Sequence, residues 1–299
     1  MTDQGSVPTP IRIPPTTTLD FQSSINGREY RLLITPPPGP TPSGGWPVLW
    51  VLDGSGYHGI AVDTIRNIGY IGNEITPALV VALSYPSDDL AQMLSRRTLD
   101  YTPTPGDDQH IYYGLPGHAF GGLEGFLDTL EADVLPRVQA CFKINPAWMA
   151  LMGHSFSGLA TLHTLFTRTR LFKSYIAHCP SIWWDSRVLL THEAAFAESV
   201  RAGQFAPRIF ISIGGAEQDP PNRPFPTITP EANAKAIATV QAARMVDNAR
   251  ELAERLKALP GAPGCEVHYA CLPGEGHMTP PLLTMVPALA MAFRLVAGT

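Results

Sequence analysis

The chain has 299 residues, 44% of them hydrophobic, which is enough to bury a large core in one or two α/β units. Charged residues make up only 16%, the formal net charge is −5 and no basic run occurs, so nucleic acid is excluded as an expected partner. No stretch reaches the apolar length of a membrane span.

In chain order, residues 1–15 read as a loose leader and 16–299 as a single domain. The N-terminus lacks a charged segment followed by an apolar one, so it is not a signal peptide and the expected compartment is cytoplasmic, or periplasmic if a leader was removed. Thr16 to Thr35 carry two strand-like stretches joined at Asn26–Gly27, a hairpin signal, and predict an antiparallel edge. Six short apolar runs follow at Val48–Leu52, Ala78–Leu83, Trp148–Met152, Ser174–Ala177, Arg208–Ile213 and Glu266–Cys271. Their alternation with helical segments predicts a mostly parallel central sheet with helices on both faces. Two stretches break the alternation, the long polar Ser84–Gly122 and the proline-rich Glu217–Pro230. Each follows a strand at its C-terminal end, where open α/β sheets bind ligands. The cysteines Cys141, Cys179, Cys265 and Cys271 form no C-x-x-C pair and read as small core residues, with no disulfide or zinc required.

The densest signal is WMALMGHSFSGLATL at Trp148–Leu162. An apolar strand runs into a glycine, then Ser155, then small residues and a helical stretch, as in a nucleophile elbow. The usual pattern is G-x-S-x-G, but position 157 is Ser and the glycine is displaced to Gly158. The plain alternative is a capping serine at a strand–turn–helix junction. A serine hydroxyl needs a base and an orienting third group. In the order Ser, acid, His, the base falls best on His277, in the glycine turn PGEGHMTP after the last strand. His178 reads as a possible cleft residue and His268 as a structural one within a strand. The acid should follow RIFISI, where Glu217 comes first, Asp219 competes and Glu231 is more distant. The amides of Phe156, at the elbow, and Ser55, in VLDGSGYHG, supply an expected oxyanion hole.

These residues carry a resemblance. VLWVLDGSGY at 48–57, RRTLDYTPT at 96–104, GGLEGFLDTLEADVLPRV at 121–138, GHSFSGL at 153–159, CPSIWWDSRVL at 179–189, ISIGGAEQ at 211–218 and GEGHMTP at 274–280 occur in the order and spacing of one family. The chain resembles the α/β-hydrolase esterases that open trilactone catecholate siderophores such as enterobactin and salmochelin. The resemblance implies an α/β-hydrolase fold with Ser155 as nucleophile and His277 as base. It also implies Arg96 and Arg97 in a loop over the cleft, binding an anionic ferric siderophore, and Trp183 with Trp184 as an aromatic wall. Some relatives work with a Ser–His dyad, which leaves Glu217 open. No cofactor or resident metal is implied, because iron arrives with the substrate. Two other readings stand beside it: a carboxylesterase or acyltransferase of the same fold, and a non-catalytic binding protein.

Overall fold

The computed structural model describes residues 15–106, 118–219, 229–259 and 265–295. Residues 1–14 of the expected leader at 1–15, and parts of the two long loops read from the sequence, lie outside them.

Among the described residues, eight strands form one sheet in the order β1-β2-β4-β3-β5-β6-β7-β8. They are β1 (Thr17–Gln22), β2 (Glu29–Thr35), β3 (Trp46–Val51), β4 (Leu79–Ser84), β5 (Ile144–His154), β6 (Ser174–His178), β7 (Arg208–Gly214) and β8 (Glu266–Leu272). β1 pairs antiparallel with β2 in the register Gln22↔Glu29, and β2 antiparallel with β4. All other pairings are parallel. The hairpin and all six later runs thus appear where the sequence placed them, with ends shifted by a few residues.

Every residue of β3 and β4 is buried, which is what a parallel strand covered on both faces requires. Alternation divides their side chains between two cores. Val48, Trp50, Leu79, Val81 and Leu83 face one core, and Leu49, Val51, Val80 and Ala82 the other. Fully burying each such side chain stabilises by roughly 1.5–3 kcal/mol, so the central strands anchor the sheet.

The helices named in chain order are α1 (Gly54–Thr64), α2 (Leu90–Tyr101), α3 (Phe156–Thr167), α4 (Met245–Lys257) and α5 (Met285–Ala292). α3 is buried from Phe156 to Phe166, matching a sequence that is apolar or small all round except at His163, which bonds Glu124. α4 is amphipathic instead, and buries Ala249, Leu252, Ala253 and Leu256 at helical spacing against the first core. α1 and α5 cover the opposite face. Among the described residues, no helix is long and apolar enough to cross a membrane.

Three expectations need correction. Arg96 and Arg97 stand on α2, not in a loop. α2 was hidden because its buried positions include Thr98 and Asp100, so its inward face does not read as apolar. At its start Asp89 accepts the amides of Ala91 and Gln92 as an N-cap. The cysteines are all free, but only Cys179 is a buried core residue, whereas Cys141 and Cys271 are exposed. Finally, His178 does not line a cleft. It is fully buried, with Nδ1 2.7 Å from Ser212 Oγ.

Candidate active site

The site lies at the C-terminal ends of the parallel strands. Ser155 follows β5 directly and heads α3 with φ 62° and ψ −118°, a conformation that costs an L-residue of order 1–3 kcal/mol. Its hydroxyl makes no capping bond to α3, so the capping alternative does not describe this serine. The turn is possible because residue 153 is glycine: a Cβ there would lie 2.1 Å from the Ser157 carbonyl oxygen. The Ser155 N–H is anchored on the His178 carbonyl at 3.0 Å, and Leu159 N–H bonds the Ser155 carbonyl at 2.9 Å. The strained residue is therefore held from both sides.

β3 and β5 are parallel neighbours, pairing Val51 with Met152. Each feeds a helix, so Ser55 and Phe156 both lie in the first turn of a helix that starts at the same sheet edge. Amides in a first turn have no carbonyl one turn earlier to bond, and the helix dipole favours a negative charge there. Asp53, in the left-handed region at φ 53°, turns the chain from β3 into α1.

The candidate acid and base follow the strands on the other side. Glu217 and His277 are 60 residues apart, yet His277 Nδ1 lies 2.7 Å from Glu217 Oε2. Glu217 Oε1 accepts the Gly214 amide at 2.7 Å, and the Glu217 side chain is 3% exposed. The two loops interlock closely, because a Cβ on Gly214 would meet the Gly276 carbonyl oxygen at 2.4 Å. With Nδ1 bonded to a carboxylate it carries the proton, which leaves Nε2 as the nitrogen that can take a proton from a serine. The alternatives fall elsewhere. Asp219 is exposed and accepts from Gln241, Glu231 is exposed in another helix, and His268 bonds Glu266 at the sheet edge.

The sequence reading missed what lies beneath the serine. Ser157 Oγ accepts the His154 amide at 2.7 Å and turns its own proton to Asp53 Oδ2, also at 2.7 Å. Asp53 in turn holds Arg97 in a two-point pair, Nε to Oδ1 at 2.9 Å and Nη2 to Oδ2 at 2.8 Å. Serine at the usual glycine position thus ties the elbow to the loop that presents Ser55. Arg97 also lies over the rings of Tyr101 and Phe156, at 5.9 and 5.7 Å. The acidic partner of Arg97 is 44 residues away in the chain, beyond any local spacing. Arg96 bonds the Glu29 carbonyl and covers the Tyr85 ring at 5.1 Å. Trp183 is half-buried and packs on Phe156, 6.1 Å between ring centroids, while Trp184 is fully buried against Phe120. The two tryptophans therefore divide into one half-open and one core residue.

Cys179 stands next to His178 at the end of β6 with φ 45°. Burial, together with the Glu217 carboxylate it hydrogen-bonds, holds its thiol protonated well above the ordinary range. His154, Cys179 and His277 bring one potential donor atom each within 4.8 Å. Both ring nitrogens of His154 are already hydrogen-bonded, to Tyr57 and to the His277 carbonyl. A cavity of about 130 Å³ opens beside Ser55, lined by Tyr85, Leu90, Met93, Leu94 and Arg97 among others.

A strained serine, two helix-start amides and a carboxylate-bound histidine at one sheet edge can carry out acyl transfer. Comparison with known proteins gives the same direction. Residues 23–258 match the family model described as "Putative esterase". The chain belongs to the esterase family. It is 30% identical to the siderophore triacetylfusarinine C esterase of Aspergillus fumigatus, over 97% of each chain. It is also 28% identical to the ferri-bacillibactin esterase of Bacillus subtilis, over 97% of this chain and 93% of that one. The siderophore hydrolase EstA of Aspergillus nidulans superposes with a TM-score of 0.78 at 26% identity, covering 96% of each chain. The fold is shared with the BES protein of Bacillus cereus at a TM-score of 0.82 and 24% identity, over 97% of this chain and all of that one. The esterase is thus a serine hydrolase with the siderophore-esterase fold.

Proposed function

We propose that this esterase hydrolyses the ester bonds of an iron-chelating siderophore, with a catecholate trilactone of the enterobactin type as the leading substrate. The observation that carries the mechanism is the Glu217–His277 pair, 2.7 Å apart, at the same end of the sheet as the strained Ser155. His277 Nε2 removes the Ser155 proton as Oγ attacks the ester carbonyl. The amides of Ser55 and Phe156 hold the oxyanion, and Glu217 fixes the tautomer and stabilises the imidazolium. His277 then protonates the leaving hydroxyl, and water, activated by the same histidine, releases the acyl group from Ser155. No cofactor enters any of these steps.

The substrate class rests on the siderophore esterases that align with this chain over nearly its whole length. Trp183 offers a half-open aromatic face at the elbow. Arg96 and Arg97 are each engaged by protein groups, so their contribution to an anionic ligand would be through field rather than direct coordination. Incubation with ferric enterobactin, followed by chromatography, should yield linear trimer, dimer and monomer. Intact enterobactin after complete turnover of a p-nitrophenyl ester would refute the substrate assignment. A second reading, a carboxylesterase for small acyl groups, is favoured by the small cavity beside Ser55. The same experiment separates the two.

A further inference from the structure

His154 precedes the nucleophile and has no part in the reaction just described, yet it is 4% exposed and hydrogen-bonded at every polar atom. It continues the alternation of Ala150 and Met152 in β5, and so its side chain falls on the face covered by α1. There the Tyr57 hydroxyl meets Nδ1 at 2.8 Å. On the other side Nε2 lies 2.8 Å from the backbone carbonyl of His277. A carbonyl can only accept, so Nε2 carries the hydrogen, Nδ1 is the bare nitrogen and Tyr57 is the donor. Burial first, and the neighbouring His277 second, push the His154 pKa well below its usual value, which keeps the ring in this neutral form.

The ring is also fixed from behind. The His154 amide is held by Ser157, and its carbonyl lies 3.4 Å from Arg97 Nη2. Its centroid is 4.5 Å from that of His277. The chain Tyr57–His154–His277 therefore connects α1, the last residue of β5 and the loop that carries the general base. The rest of that loop is tied back to the Glu217 side, through the Ala216 amide on the Glu275 carbonyl and the Gly215 amide on Leu272.

We infer that His154 is a positioning residue: it anchors the backbone of His277 to the strand that carries Ser155, and so sets the distance between base and nucleophile. The inference rests on reading His277 as the base. A displacement of about 1 Å between reacting groups costs on the order of 10²-fold in rate, which is the scale at stake.

The test compares His154→Leu, which fills space without a donor, with His154→Gln, whose amide can donate to the same carbonyl. Reactive sites are first counted by titration with diisopropyl fluorophosphate, so that turnover is expressed per competent Ser155. His154→Leu is expected to lose about 10²-fold in kcat with KM nearly unchanged, and His154→Gln to recover most of that loss. Tyr57→Phe, which frees the tautomer, should fall between them. Equal losses in Leu and Gln, or a loss confined to KM, would overturn the inference. So would a fully active His154→Leu beside an inactive His277→Ala. A fully active His277→Ala would overturn the base assignment and this inference with it.

Discussion

Replacing Glu217 with Gln changes one oxygen for an NH₂ group and leaves the shape intact, so its effect can be worked from the hydrogen bonds. In the native site both carboxylate oxygens accept, one from the Gly214 amide and one from His277 Nδ1, each at 2.7 Å. A glutamine has one acceptor. If its oxygen keeps the Gly214 amide, its NH₂ faces His277 and selects the tautomer with hydrogen on Nε2, which cannot accept the serine proton. If the oxygen turns to His277, two N–H groups face each other in a buried site, at a cost of about 1–3 kcal/mol. The useful arrangement is therefore the minority one by roughly one to two orders of magnitude. Loss of the carboxylate charge removes, in addition, a few kcal/mol of attraction to the imidazolium, on the order of 4 kcal/mol at 4 Å for an effective dielectric constant of 20. Together these predict a fall in kcat of about 10⁴- to 10⁵-fold with little change in KM. The assay is p-nitrophenyl ester hydrolysis on protein whose thermal unfolding is cooperative. A variant retaining a tenth of native kcat would refute this use of Glu217 and leave a Ser–His dyad. Asp219→Asn, at an exposed position, should be silent.

Ser155→Ala should abolish turnover, by on the order of 10⁶-fold, with an unchanged circular dichroism spectrum; residual activity of a few per cent would remove Ser155 as nucleophile. Arg97→Gln should destabilise the protein by about 3 kcal/mol, since it strands the largely buried Asp53 carboxylate, and should lower kcat on neutral and siderophore esters alike. A loss restricted to the siderophore would instead make Arg97 a ligand group. For pH, burial depresses His178 to about 3 in the folded protein, against 6.5 when exposed. The stability it lends is complete above pH 6.5 and is lost as pH falls from there to about 3, a ceiling of about 5 kcal/mol. Urea midpoints between pH 7 and 4 should therefore fall less steeply in His178→Asn than in the native protein, and equal slopes would contradict the assignment.

The sequence by itself determined the sheet and the chain order of the candidate site residues. β3, β4 and the core of β5 are runs of buried apolar residues, legible because a two-sided strand has no polar face. Gly153 and Gly214 mark backbone approaches that tolerate no side chain, so the elbow and the meeting of the Glu217 and His277 loops left local signatures. What tertiary structure alone decided is the polar network beneath the serine. Arg97 finds Asp53 across 44 residues, Ser157 joins both to the elbow, and His154 reaches from β5 to Tyr57 and to the carbonyl of His277. A hydrogen bond between distant residues leaves no periodicity in the chain, because its partners are chosen by the packing of strands and not by spacing. For the same reason α2 went unread: its inward face is built from Thr98 and Asp100, whose partners exist only once the sheet is assembled.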